Sequence, residues 1–320
     1  MVVANDHMSS VQTSNTEKVP TAKLSARRYG EILAIVSSAL WGFFPIITQL
    51  SFTRLDPLWS AGFSALFAVP FFAVIVHRKG HWHQLADRRG WPGILIVTLC
   101  IGVIFYGLNF IGFKHTSSGN GSIILLMELF FSMAFLRWWG GERLNGDEIV
   151  GALLMVVGAF VILFRGAFIL QMGDLILLFA TVFPPLGNYF ARQARSYVSS
   201  AVVLFGRCSL SGATLLVLAA IFSEAPSFEA LLASMPYLLI NGIVLFGVTK
   251  LLWLETIHRL EISVALALTS VTPFFTFMYS YVLFDIPPTT AQLLGLGPTV
   301  VGILLLTRVV RPFTLFKERQ

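Results

Sequence analysis

The octets GALLMVVG (Gly151–Gly158) and GLGPTVVG (Gly295–Gly302) decide the fold of this chain. They lie 144 residues apart (295 minus 151) and share both end glycines and the Val-Val pair. The same shift lays Phe130-Phe131 on Phe274-Phe275, and a shift of 143 lays Gly30-Glu31 on Gly173-Asp174. Neither octet carries a charge, and each sits in an apolar run long enough to cross a bilayer. The chain therefore contains an internal repeat whose unit is built from apolar segments.

Composition supports the lipid setting. Of the 320 residues, 56% are hydrophobic and 12% charged, against ~45–50% and ~25% in soluble domains. A water-soluble globule of this size lacks half of the charged surface it needs, so the soluble-enzyme class is excluded. The 29 Phe and 26 Gly suit helices that approach closely in lipid. Ten apolar runs fall at 31–50, 57–76, 92–113, 118–136, 148–165, 173–191, 200–222, 236–256, 262–283 and 291–308. Each half has five, an odd number, so the halves stand in opposite orientations. The expected fold is an all-α polytopic membrane protein of ten transmembrane helices in two inverted five-helix repeats. Residues 30–166 form the first repeat and 172–310 the second. Residues 1–29, polar and without the apolar core of a signal peptide, read as a disordered cytoplasmic tail, and 311–320 as a second cytoplasmic tail.

The charge of +6 and pI near 9.5 do not indicate nucleic acid, because the basic residues sit in short loops and tails. Of 22 Lys and Arg, Arg207 and Lys250 lie within spans and Arg54, Lys114 and Arg165 fall on one side, which leaves 17 on the other. That split places the termini and the basic loops in the cytoplasm and the chain in the cytoplasmic membrane. Cys100 and Cys208 each lie in an apolar run and read as buried free thiols. His77, His81 and His83 read as part of a basic loop facing headgroups rather than as a metal site. There is no GxxxxGK[ST] and no HExxH, so an ATP motor on this chain is excluded and no cofactor or metal is expected. Asn120-Gly121-Ser122 matches a glycosylation pattern but opens a span and is discounted.

Three stretches resemble a known family. They are Ala39-Leu40-Trp41-Gly42 in the first span, Gly141-Glu142-Arg143-Leu144 followed by Gly151 and Gly158, and Thr272-Pro273 in the ninth span. Together they resemble the ten-helix EamA-type branch of the drug/metabolite transporter superfamily, over residues 30–310. Two positions depart from its pattern: Glu128-Leu129 stands for a Glu-Pro pair, and Phe284-Asp285-Ile286 for a Gly-Glu. The resemblance implies a secondary transporter and leaves the substrate open, since members carry amino acids, metabolites and drugs, and relatives carry nucleotide sugars.

Ionisable residues inside a span cost ~2.5–3.5 kcal/mol on insertion scales and are functional candidates. Glu128 falls at the centre of the fourth span, with Lys250 and Arg207 displaced toward the basic side of the eighth and seventh. At a shift of 144, Lys250 is the mate of Tyr106 and Glu128 the mate of Thr272. These five, with Trp41 and Trp253, form the expected substrate-binding set, and Glu128 is the expected proton-coupling carboxylate. A structural reading stands beside these: a buried Glu128–Lys250 pair that only holds helices together. Glu255 and Arg259 read as a surface i,i+4 pair. Pro184, Pro185 and Pro273 are the expected hinges, because proline frees a carbonyl and kinks a helix. Both charge signs in one dry pocket suit a small zwitterion exported by alternating access, with a multidrug or cation exporter as the alternative. A membrane-embedded enzyme using Glu128 as acid/base is the alternative of another class, and the chain is expected not to be an enzyme. The expected partners are a small-molecule substrate, the lipid bilayer and protons, with a homodimer left open.

Overall fold

The computed structural model describes residues 21–140, 145–163, 171–260 and 262–310, and the regular elements in them are all helical. Among the described residues, nine helices are long and apolar enough to cross a membrane: α1 (Arg27–Ser51), α2 (Pro57–Arg78), α3 (Trp91–Lys114), α4 (Ser118–Phe135), α5 (Gly146–Leu163), α6 (Met172–Ala194), α7 (Ser200–Phe222), α8 (Phe228–Arg259) and α9 (Val264–Phe284). A tenth apolar helix, α10 (Thr290–Leu306), has 17 residues, about 25 Å at the usual rise. The Gly141-Glu142-Arg143-Leu144 stretch, Arg165 and both tails' outer residues lie outside the described residues.

Two boundaries depart from expectation. The helix leading into α1 already starts at Thr21, so residues 21–29, expected as part of a disordered tail, are helical. α8 begins at Phe228 rather than at 236, because Ser227 accepts a hydrogen bond from the Ala230 amide (3.1 Å) and Glu229 lies in the first turn, where the helix dipole favours an acid. Pro236 then sits inside the helix instead of bounding it.

The repeat glycines meet one another. A Cβ on Gly151 would lie 2.7 Å from the Gly302 carbonyl, and one on Gly302 would lie 2.6 Å from the Gly151 carbonyl. Gly158 and Gly295 oppose each other in the same way. Each glycine thus touches the mate of the other, as a two-fold axis between antiparallel helices requires. Without side chains at these points, α5 and α10 pack backbone to backbone. Gly62 on α2 and Gly212 on α7 repeat the arrangement, packing on Leu216 and Leu66. The 144-residue shift also relates the helix starts. Glu148 accepts from the Asn145 amide (2.8 Å) and its mate Gln292 accepts from the Thr289 amide (2.8 Å).

Six of the ten helices are irregular, and they form three repeat pairs. α1 breaks at Phe43 and α6 at Thr181–Phe183, while α4 breaks at Leu125-Leu126 and α9 at Ser270-Val271. α3 and α8 carry wide π turns at Thr98–Phe105 and Ile240–Val248. Loosened backbone survives at membrane depth only inside the protein or along a cavity. Hydroxyls accordingly serve two of the carbonyls concerned: Thr276 Oγ1 donates to the Gly42 carbonyl (2.9 Å) and Ser37 Oγ to that of Thr249 (3.4 Å).

The loop after α2 and the start of α7 share one face, called here the basic face. His81 Nδ1 lies 3.0 Å from Ser199 Oγ, and the Gln84 side chain accepts from the Ser199 amide at 2.7 Å. Hydrogen bonds from Arg89 hold the Asp87 carboxyl below the ordinary carboxylate range.

The seam can be tested with a control on the facing helix, α10. Gly158→Leu drives its side chain into the Gly295 carbonyl, 2.6 Å from the first added carbon, whereas Gly297 faces open space. Gly158→Leu is expected to lose at least ~1–3 kcal/mol of stability, the usual overpacking cost, seen as a lower melting temperature in detergent. Gly297→Leu is expected to melt with the wild type.

Candidate functional site

The irregular segments place a row of aromatic rings in the middle of the molecule. Trp41 and Phe44 straddle the α1 break and stack at 4.5 Å with planes 7° apart. Phe44 is fully buried and meets Tyr106 (6.2 Å), Phe110 (6.1 Å), Phe113 (5.9 Å) and Phe246 (6.0 Å). Tyr106 and Phe246 stand where the π turns of α3 and α8 widen the helix, 4.4 Å apart. Phe44, Phe110, Phe113 and Phe246 are all buried and belong to one core cluster.

A cation sits at each end of this row. Lys250 Nζ lies 4.1 Å from the Trp41 ring centroid, and Arg207 Cζ lies 5.7 Å from that of Tyr106. Lys250 has no hydrogen-bond acceptor among the described residues. Arg207 is 4% exposed, and its one hydrogen bond among them goes to the Cys208 thiol at 3.7 Å. Cys100 and Cys208 are indeed free and buried. A cation–π contact contributes ~0.5–2 kcal/mol, which is below the several kcal/mol that an ion loses on leaving water. The rings therefore orient these cations without fully offsetting their burial.

Glu128 lies in the first turn after the α4 break, at the helix end where the backbone dipole favours an anion. Asn188, Lys250 and Tyr106 lie near enough to its carboxylate to act on it electrostatically. No direct ion pair joins Glu128 to Lys250 or Arg207 among the described residues. Asn188 is exposed, and Glu128, Trp41 and Lys250 are partly so. The site is thus partly accessible beside a buried ring cluster.

The structure brings Glu128, Lys250, Arg207, Tyr106 and Trp41 into one electrostatically linked group. Thr272 stands at the α9 break, where its hydroxyl donates to the Thr269 carbonyl (2.7 Å) and its own carbonyl packs on Gly42. Trp253 belongs to another cluster, with Ala34, Leu260 and Ala265. Pro184-Pro185 and Pro273 start the second pieces of α6 and α9, directly after the breaks. Glu255 pairs with Arg259 (2.9 Å), as their spacing implies. Asn120 is buried and donates toward Asp174 while accepting from Gln292 (2.8 Å), so it is no surface sequon. Sequence reasoning missed Phe44 and Phe246. Phe44 was within reach of it, three residues after Trp41 and next to Pro45, but one of 29 phenylalanines carries little signal by itself. It also missed Thr48, Ser64, Ser234 and Asn241, buried on α1, α2 and α8 with side-chain atoms that have no hydrogen-bond partner.

Two antiparallel five-helix units around a polar, interrupted centre define a membrane transporter of the inverted-repeat class. Residues 28–164 and 171–308 each match the EamA-like transporter family, to which the chain belongs. A relative from Bacillus subtilis, the uncharacterised transporter YvbV, is 24% identical over 271 residues, covering 83% of this chain and 87% of its own. A probable amino-acid metabolite efflux pump of Escherichia coli is 23% identical over 177 residues, covering 54% of this chain and 56% of its own. One crystal structure superposes with a TM-score of 0.65 at 17% identity, over 89% of this chain and 97% of that one, which is a likeness of fold.

The absence of a closed Glu128–Lys250 pair has a measurable consequence. Breaking a buried ion pair strands a charge and costs ~3–5 kcal/mol, whereas a cation held on a ring leaves none behind. Lys250→Met is expected to express, insert and melt in detergent at or above the wild-type temperature. A collapse of the folded fraction would mean that Lys250 is a structural partner of Glu128.

Proposed function

We propose that the chain is a secondary exporter of small zwitterionic, amino-acid-like metabolites, working by alternating access in the cytoplasmic membrane with both termini inside. One observation carries the reading: among the described residues, Arg207 and Lys250 lie within spans without a carboxylate partner, beside Glu128 in a partly accessible site. A substrate ammonium pairs with Glu128, and its carboxylate draws Lys250 off the Trp41 ring. The printed name of the Escherichia coli relative supports the same chemical class. A lipophilic cation fits less well, because two protein cations would face it.

The helix breaks supply the motion. Pieces of α1 and α6 beginning near Pro45 and Pro184-Pro185 pivot against the unbroken α5 and α10, closing the basic side and parting the rings. The unpartnered polar groups of α1, α2 and α8 then line the way out. Glu128 at the bilayer centre holds a proton unless Lys250, Arg207 or substrate compensates its charge, so proton and substrate exchange at one carboxylate.

Two experiments test this. Counterflow in proteoliposomes with labelled amino acids is expected to fall ten- to a hundredfold in Lys250→Ala, the loss of one charge-assisted bond of ~1.5–3 kcal/mol. Unchanged kinetics would remove Lys250 from the site. Glu128→Gln is expected to keep exchange but to lose accumulation driven by a pH difference, and wild-type accumulation in that variant would end the coupling role. For orientation, Ala225→Cys is expected to react with an impermeant maleimide in intact cells and Arg88→Cys only after permeabilisation. The reverse pattern would invert the topology.

A further inference from the structure

The ionisable groups at the interrupted centre do not balance. Among the described residues they are one acid, Glu128, and two bases, Lys250 and Arg207, with Lys250 within electrostatic reach of both the others. With Tyr106 neutral, the site carries a net charge of +1. A neutral zwitterion answers one of these bases and leaves the other uncompensated beside a cluster of buried phenyl rings. Arg207 is the base left over. It is 96% buried (4% exposed), lies on the far side of the ring row from Lys250, and gives the protein one weak hydrogen bond, to a thiol. A guanidinium has five N–H donors in a planar fork matched to a carboxylate, so most of its capacity is unused and aimed at something the chain does not supply.

Resting on the zwitterion reading above, we infer that the substrate is an amino acid with a second acidic group and a net charge of −1. Its ammonium binds Glu128, one carboxylate binds Lys250, and the other binds Arg207 through the guanidinium fork. The bound site is then neutral, which a low-dielectric cavity strongly favours. A dicarboxylate without the amine leaves Glu128 facing like charge, and a neutral amino acid leaves Arg207 unanswered.

The test is selectivity in counterflow by the purified full-length wild type in proteoliposomes. The probes are labelled L-glutamate, L-aspartate, L-serine, L-alanine and succinate. Glutamate or aspartate is expected to exchange at least tenfold faster than serine, alanine and succinate. Arg207→Gln is expected to lose that preference by reducing acidic exchange tenfold or more while sparing the neutral amino acids, and Arg207→Lys to restore part of it. Serine or alanine moving as fast as the acidic pair through the wild type would overturn the inference and leave the zwitterion exporter standing. Succinate moving as fast would overturn it by removing the ammonium contact. Exchange of none of the four amino acids would overturn both. The wild-type ranking decides even if Arg207→Gln does not fold.

Discussion

Where α5 crosses α10, the chain has no side chains to spare. Gly151 lies against Gly302 and Gly158 against Gly295, so two antiparallel helices meet through their backbones. In lipid there is no hydrophobic gain from bringing helices together, and close van der Waals contact must replace it. This contact fixes the two-fold axis and keeps one pair of helices unbroken. The other elements can then be irregular: with α5 and α10 holding the halves in register, α1, α3, α4, α6, α8 and α9 carry breaks and wide turns around the same axis.

Those irregularities create the chemistry. The break in α1 lets Trp41 and Phe44 stack across it, and the wide turns of α3 and α8 bring Tyr106 against Phe246. The resulting row of rings seats Lys250 and Arg207 by their positive charge without neutralising them. Full ion pairs would have neutralised both and left nothing to bind a ligand. The opposite extreme, bare cations in a dry pocket, would have opposed insertion.

Much of the fold was legible in the sequence, because lipid imposes a simple rule on composition: runs of about 20 apolar residues become spans. The 144-residue shift reads directly as Gly151 on Gly295 and reappears in the capping of Asn145 by Glu148 and of Thr289 by Gln292. The start of α8 was not legible, since Ser227 caps a helix whose first turn lies in a polar stretch, and Pro236 looks like a boundary. In the site, the charged residues could be read because charge is rare in a span. Phe44 and Phe246 could not, because their distinction lies in position and not in residue type. Trp253 shows the converse. It lies three residues after Lys250 and faces α1 as Lys250 does, but one turn further along, where it packs with Ala34 and Leu260 instead of the Trp41 ring.

The capping pair Glu148 and Gln292 are not chemically equal. Glu148 is buried and bound by Arg308 at 2.7 Å, whereas Gln292 is bound to Asn120 through neutral amides. One end of the α5–α10 seam is thus closed by an ion pair whose arginine is partly exposed, and the other by an amide pair whose nearest charge, the Asp174 carboxylate beyond Asn120, is fully buried. Ionic strength weakens the first and screens the second much less. A molecule built by turning one half over to make the other therefore feels the salt on its two sides differently. Its two shut states need not be equally stable even where its helices superpose.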